Sequence, residues 1–176
     1  LGVYLLLLAL LASLYALAIG WIGARRRDMR LAESARNGLL LTFPLLLLAC
    51  LLLIRLLVAG DFQTTFVWSV TDRAMPTYLK VTALWGGQAG SLVFWSFLMS
   101  IFLCGAIWVN WKRHAKLMPH VVAVSAATMA FFLLLVTFWE NPFATYWQPP
   151  VGEIAPALFR PSALLASISD AIHSLG

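Results

Sequence analysis

Four stretches of this chain run without a charged side chain for long enough to cross a bilayer, and they limit every fold open to it. Leu1–Ala24 is uncharged, and Leu39–Ile54 is uncharged and continues past Arg55 through Leu56–Ala59. Val81–Trp111 is uncharged over 31 residues and Val121–Trp139 over 19. A helix rising 1.5 Å per residue needs about 20 apolar residues to cross a hydrocarbon layer of roughly 30 Å. The first, second and fourth stretches each fit one crossing. The third is longer than one untilted helix requires and contains Trp85-Gly86-Gly87-Gln88 near its start. Its crossing is expected at about residues 90–109, with residues 81–89 as an apolar approach near the surface. The expected fold is all-α and integral to the membrane, with four transmembrane helices over residues 1–139 and a tail over residues 140–176.

Composition excludes the alternatives. With 62% apolar and 11% charged residues, the chain is too greasy for a water-facing domain, which carries about a quarter charged residues. Disorder requires the opposite bias. Cys50 and Cys104 stand alone in apolar runs, with no spacing suited to a metal or a disulfide framework. The net charge of +5 suggests nucleic acid only until the charges are placed. Arg25, Arg26, Arg27, Arg30 and Arg36 cluster after the first stretch, and Lys112, Arg113 and Lys116 after the third. The segment after the second stretch is neutral, and the tail is acidic. Short cationic loops stay cytoplasmic, so the N-terminus and the tail are expected outside. The basicity is an orientation signal, and no nucleic-acid partner is expected.

The tail is broken by Pro142, Pro149, Pro150, Pro156 and Pro161 and cannot span. Within it Ser162 precedes Leu164 or Leu165, Ile168 and Ile172 at about helical spacing, which predicts a short amphipathic helix. Arg55, about four residues from a helix end, is expected to snorkel to the lipid headgroups. Tyr4, Tyr15, Met99 and Met129 are expected to serve packing.

Chemistry concentrates in Leu84-Trp85-Gly86-Gly87-Gln88-Ala89-Gly90-Ser91-Leu92-Val93-Phe94-Trp95. Gly86 and Gly90 are four apart, as are Gly87 and Ser91. On a helix that spacing lines one face with small residues and admits a second backbone. Glycines there equally suit a bend or close approach to a flat ligand, and both readings stand. No Ser/His/Asp set, paired intramembrane carboxylate, phosphate loop or dinucleotide fingerprint is present.

This segment resembles the LWGGxEGSLLLW signature of the CcmF/NrfE family of cytochrome c-type biogenesis proteins. Asp61-Phe62 with Val67 and Ser69 resembles the short outer segment before that signature, and Glu140-Asn141-Pro142-Phe143 resembles the family's xNPF element. The stretch from Ala155 to Pro161 is similar to a further family motif. The resemblance implies a haem lyase subunit in a bacterial inner membrane. Such a subunit takes haem from a carrier and attaches it to apocytochrome c on the outer face, beside other cytochrome c maturation subunits. It implies haem as cofactor, with Trp85, Gly86, Gly87, Gln88, Gly90, Ser91 and Trp95 as binding surface and His173 as a candidate iron ligand. The departures are Ala89, where the signature has an acidic residue, and the absence of the family's tryptophan-rich outer loop. Thioether formation by this chain alone is therefore not expected; a fragment, a split-gene piece or a short relative is. The competing expectation is a non-catalytic structural subunit of a larger membrane complex.

Overall fold

The computed structural model describes residues 1–145, which form one compact helical unit. Helix α1 spans Gly2–Arg26 and α2 spans Met29–Ala59. Two short helices follow, α3 (Thr65–Val70) and α4 (Thr77–Thr82), the second running into a 3-10 turn at Ala83–Trp85. Helix α5 spans Gln88–Asn110, and α6 spans Met118–Leu134 before widening into a π turn at Leu135–Trp139. Four helices are long and apolar enough to cross a membrane, as the uncharged stretches predict.

The second span differs from expectation at its start. Residues 29–38 are not a loop but the first turns of α2, which reaches 31 residues. Asp28 caps it, its carboxylate accepting from the Arg30 amide at 2.9 Å. Ala32, Ala35, Leu39, Thr42 and Leu46 then keep one face buried. The connection from α1 is only Arg27-Asp28, with Arg27 in the left-handed region at φ 54°. At about 1.5 Å per residue α2 is some 46 Å long, so roughly ten of its residues exceed a 30 Å hydrocarbon layer, and its first turns carry Arg30 and Arg36 of the arginine cluster.

Small residues let the helices meet closely. Along α1, Ala9, Ser13, Ala16, Gly20 and Gly23 are buried. A β-carbon at Gly20 would lie 3.5 Å from Ala123 of α6, and one at Gly23 would lie 3.0 Å from the Ala32 nitrogen of α2. In an apolar solvent such close van der Waals fit replaces the hydrophobic effect as the force holding helices together. The buried hydroxyls of Ser13, Thr42, Ser96 and Ser100 donate to carbonyls of their own helices at 2.6–2.7 Å, so they need no water. Met129 is fully buried. Tyr15 is half exposed and exchanges a 2.7 Å hydrogen bond with Ser34 of α2.

Contacts between elements show that the four long helices alternate in direction. The Arg36 guanidinium stacks 4.4 Å from the Trp111 ring, tying the start of α2 to the end of α5. Trp111 is buried. At the opposite end the Phe143 ring packs directly on Gly2, and the Thr65 amide donates to the Ala144 carbonyl at 2.9 Å. One end of the bundle therefore holds Arg25, Arg26, Lys112, Arg113, His114 and His120. The other holds α3, α4, the Trp85–Ser91 segment and Glu140–Thr145, which pack with the helices although the expected boundary falls at 139/140.

Candidate functional site: an aromatic groove and a polar hollow

The glycine segment is a hinge between two helices, not a stripe on one. Helix α5 begins at Gln88, and Gly87 is its cap residue in an extended conformation (φ −130°, ψ 163°). Gly86 closes the preceding 3-10 turn, its amide donating to the Ala83 carbonyl at 3.0 Å. Gly86 and Gly87 thus lie off the helix, and the expected four-residue face shared with Gly90 and Ser91 does not form. What the glycines admit is a side chain. Gly90 sits directly against the Phe66 ring and the Leu84 carbonyl, and a β-carbon on Gly87 would lie 2.9 Å from the same ring. Phe66, on α3 and buried, wedges into the start of α5. Sequence reading missed it, because its partners lie more than 20 residues downstream.

The hinge divides the candidate residues between two hollows. Trp85, Ser91, Phe94 and Trp95 line an open groove of about 430 Å³. The Ser91 hydroxyl donates to the Trp85 carbonyl at 3.0 Å, fastening the turn to the helix. The Trp85 and Phe94 ring centres are 5.5 Å apart, and those of Phe94 and Trp95 6.4 Å, within the range of favourable aromatic pairs. Trp85 is 51% exposed and Trp95 62%, so the groove presents indole surface outward. Trp95 also borders an apolar hollow of about 500 Å³ with Met99, Phe102 and Phe132.

Gly87, Gln88 and Ala89 line the other hollow, of about 440 Å³, opposite Phe66, Trp139 and Glu140. Its far wall is the π turn and the Asn-Pro-Phe element. Asn141 organises that element: its side-chain amide donates to the Thr137 carbonyl at 3.3 Å, and its oxygen accepts from the Phe143 amide at 3.0 Å. Of the seven described candidates, the structure brings Trp85, Ser91 and Trp95 together on one hollow and Gly87 and Gln88 on another. Gly90 is buried between, and Gly86 serves the turn. His173, the candidate iron ligand, lies outside the described residues, as does the helix expected after Ser162. Among the described residues no three metal-ligating side chains cluster.

No family model matches the chain. Curated relatives do. Over 137 residues, 78% of the chain, it is 33% identical to the cytochrome c-type biogenesis protein CcmF of Escherichia coli (strain K12). Over 144 residues it is 31% identical to the probable cytochrome c-type biogenesis protein NrfE of the same organism. Over 152 residues it is 32% identical to CycK of Bradyrhizobium diazoefficiens. The chain is a relative of the N-terminal region of the CcmF/NrfE family. It spans 21–26% of the length of these relatives. A solved structure, the cytochrome c haem lyase CcmF, superposes on 85% of the chain and 25% of its own with a TM-score of 0.75 at 23% identity, and so shares its fold. The family resemblance read from Trp85–Trp95 and the membrane-helical fold class both hold.

Proposed function

We propose that this chain forms the N-terminal membrane platform of a haem lyase-type protein of cytochrome c biogenesis, presenting the Trp85–Trp95 groove to haem at the outer face of a bacterial cytoplasmic membrane. One observation carries the reading: Trp85, Ser91, Phe94 and Trp95 converge on an exposed groove at the end of the bundle opposite Arg25, Arg26, Lys112 and Arg113. The cationic end is taken as cytoplasmic, which puts the groove outside. Residues 140–176 are then assigned to the outer side of the membrane.

The described residues suit a porphyrin's face and edge, not its iron. Indole and phenyl rings offer an apolar wall, and the glycine hinge fixes where that wall stands. An axial ligand is a separate requirement. His114 and His120, the described histidines, are exposed at the basic end, a helix length away, so neither reaches a haem held in the groove. Haem supplies vinyl groups for thioether formation when bound; this chain's part is to hold and orient. Haem carrier, apocytochrome c and further maturation subunits are the partners this role requires, with lipid around the helices. The test is titration of haem into the chain in lipid nanodiscs, read by quenching of indole fluorescence. Quenching that weakens at least several-fold in W85A/W95A supports the groove; identical quenching in that variant overturns it.

A second reading, a non-catalytic structural subunit of a larger membrane complex, draws on the outer face of α5. Phe102, Trp108 and Val109 are 72%, 83% and 70% exposed there. Copurification of a haem-free chain with an unrelated assembly would favour it.

A further inference from the structure

At the basic end of the bundle one arginine is held in a fixed plane without a carboxylate. Arg36, half-buried on α2, lies over the buried Trp111 ring at 4.4 Å. Its Nε and Nη2 both donate to the Asn37 side-chain oxygen, at 3.2 and 3.1 Å. Both partners are neutral. The described acids at this end are Asp28, which caps α2, and the exposed Glu33. Neither pairs with Arg36. A guanidinium presents its N–H groups as a planar fork. Stacking fixes that plane and the amide takes one side of it, so the Nη1–Nη2 edge is oriented and has no described partner. This edge can grip two oxygens of a phosphate at once. Lys112 and Arg113 follow Trp111 directly and add positive charge.

Depth decides which anion meets that edge. Arg36 and Arg55 bound an uncharged run of α2 that is about 28 Å long, close to the thickness of the hydrocarbon layer. Arg36 therefore stands at the border between acyl chains and headgroups, where the concentrated anion is a lipid phosphate. In the turn of α5 before Trp111, Trp108 and Val109 are 83% and 70% exposed, an apolar surface suited to the chains of the same lipid. We propose that Arg36 anchors a binding site for one anionic phospholipid of the leaflet at the basic end, its phosphate on the Nη1–Nη2 edge and its chains along α5. The occupant carries net negative charge, as phosphatidylglycerol does. A zwitterionic lipid brings its own cation, which Lys112 and Arg113 oppose. The site lies at the far end of the bundle from the aromatic groove and is independent of the haem reading.

The full chain in detergent micelles is titrated with phosphatidylglycerol and with phosphatidylcholine, and bound lipid is counted by native mass spectrometry. One phosphatidylglycerol per chain is expected to bind about ten-fold more tightly than phosphatidylcholine. R36Q should weaken it about ten-fold, the loss of a charge-assisted bidentate pair. R36K keeps the charge but not the fork and should weaken it about three-fold. R30Q removes the same charge about 9 Å further along α2, beyond the roughly 8 Å over which exposed charges act at physiological salt, and should leave binding within about two-fold of wild type. Absence of binding, equal affinity for the two lipids, equal losses in R36Q and R30Q, or wild-type affinity in R36K overturns the proposal. If R36Q fails to fold, R36K against R30Q decides the question. Because Trp85 and Trp95 lie at the opposite end, none of these results bears on the groove.

Discussion

Replacing Gly90 by alanine should damage the site more than any other single methyl added to the hinge. The new β-carbon would occupy space held by the Leu84 carbonyl oxygen and the Phe66 ring. The oxygen belongs to backbone in the 3-10 turn, and the ring is 6% exposed, so neither neighbour can swing away. Overpacking of a filled core costs about 1–3 kcal/mol, and a backbone obstruction argues for the upper end. About 3 kcal/mol corresponds to roughly a 150-fold loss in the folding equilibrium. Gly86 is the internal control. Its nearest obstruction is 3.3 Å away and its backbone is ordinary right-handed helix (φ −74°, ψ −16°). Alanine there should be neutral, or stabilising by up to about 1 kcal/mol through the unfolded chain. Gly87, with Phe66 and Val70 at 2.9 and 3.0 Å, should fall between. Denaturant unfolding in detergent micelles, followed by tryptophan fluorescence, should rank the variants G86A, G87A, G90A from most to least stable. Equal midpoints for G86A and G90A would refute the wedge of Phe66 into the hinge.

Three further outcomes follow from the same geometry. N141A loses both side-chain bonds that shape the Asn-Pro-Phe turn; at about 1 kcal/mol each it should lower the unfolding midpoint and speed hydrogen exchange at Phe143. S91A frees the Trp85 carbonyl; the fluorescence anisotropy attributable to Trp85 should fall while overall stability changes by no more than about 1 kcal/mol. Replacing the Asp28 cap by alanine should cost about 1 kcal/mol and increase amide exchange across residues 29–32, leaving the groove unchanged in haem titration.

The four spans were legible because uncharged runs of bilayer length have few alternatives, and the family was legible because Trp85–Trp95 resembles its signature. The start of α2 was readable too: Asp28 followed by Ala32, Ala35 and Leu39 at helical spacing gives both the cap and the buried face. Charge density there suggested a loop instead. The hinge was not legible. Whether Gly86 and Gly90 share a helix depends on where α5 begins, and Phe66, brought from another element, occupies the space that sets that start. The polar hollow was hidden for the same reason, since Ala89 and Glu140 line one space only when α3, α5 and the π turn are in place. Periodicity reports neighbours along one helix and is silent about wedges between several.

The contact of Phe143 with Gly2 brings the two extremities of the four-helix unit side by side, so that topologically it is nearly a ring. In a piece cut to residues 1–145, ends that already touch can be joined by a short linker at little entropic cost. The polypeptide could then be reopened at the exposed Asp72–Ala74 turn without disturbing a spanning helix. Such a permuted molecule should keep its helix packing and both hollows. In that sense connectivity and architecture are separable here: the module is defined by which faces meet, and the order in which the chain visits them is one choice among several.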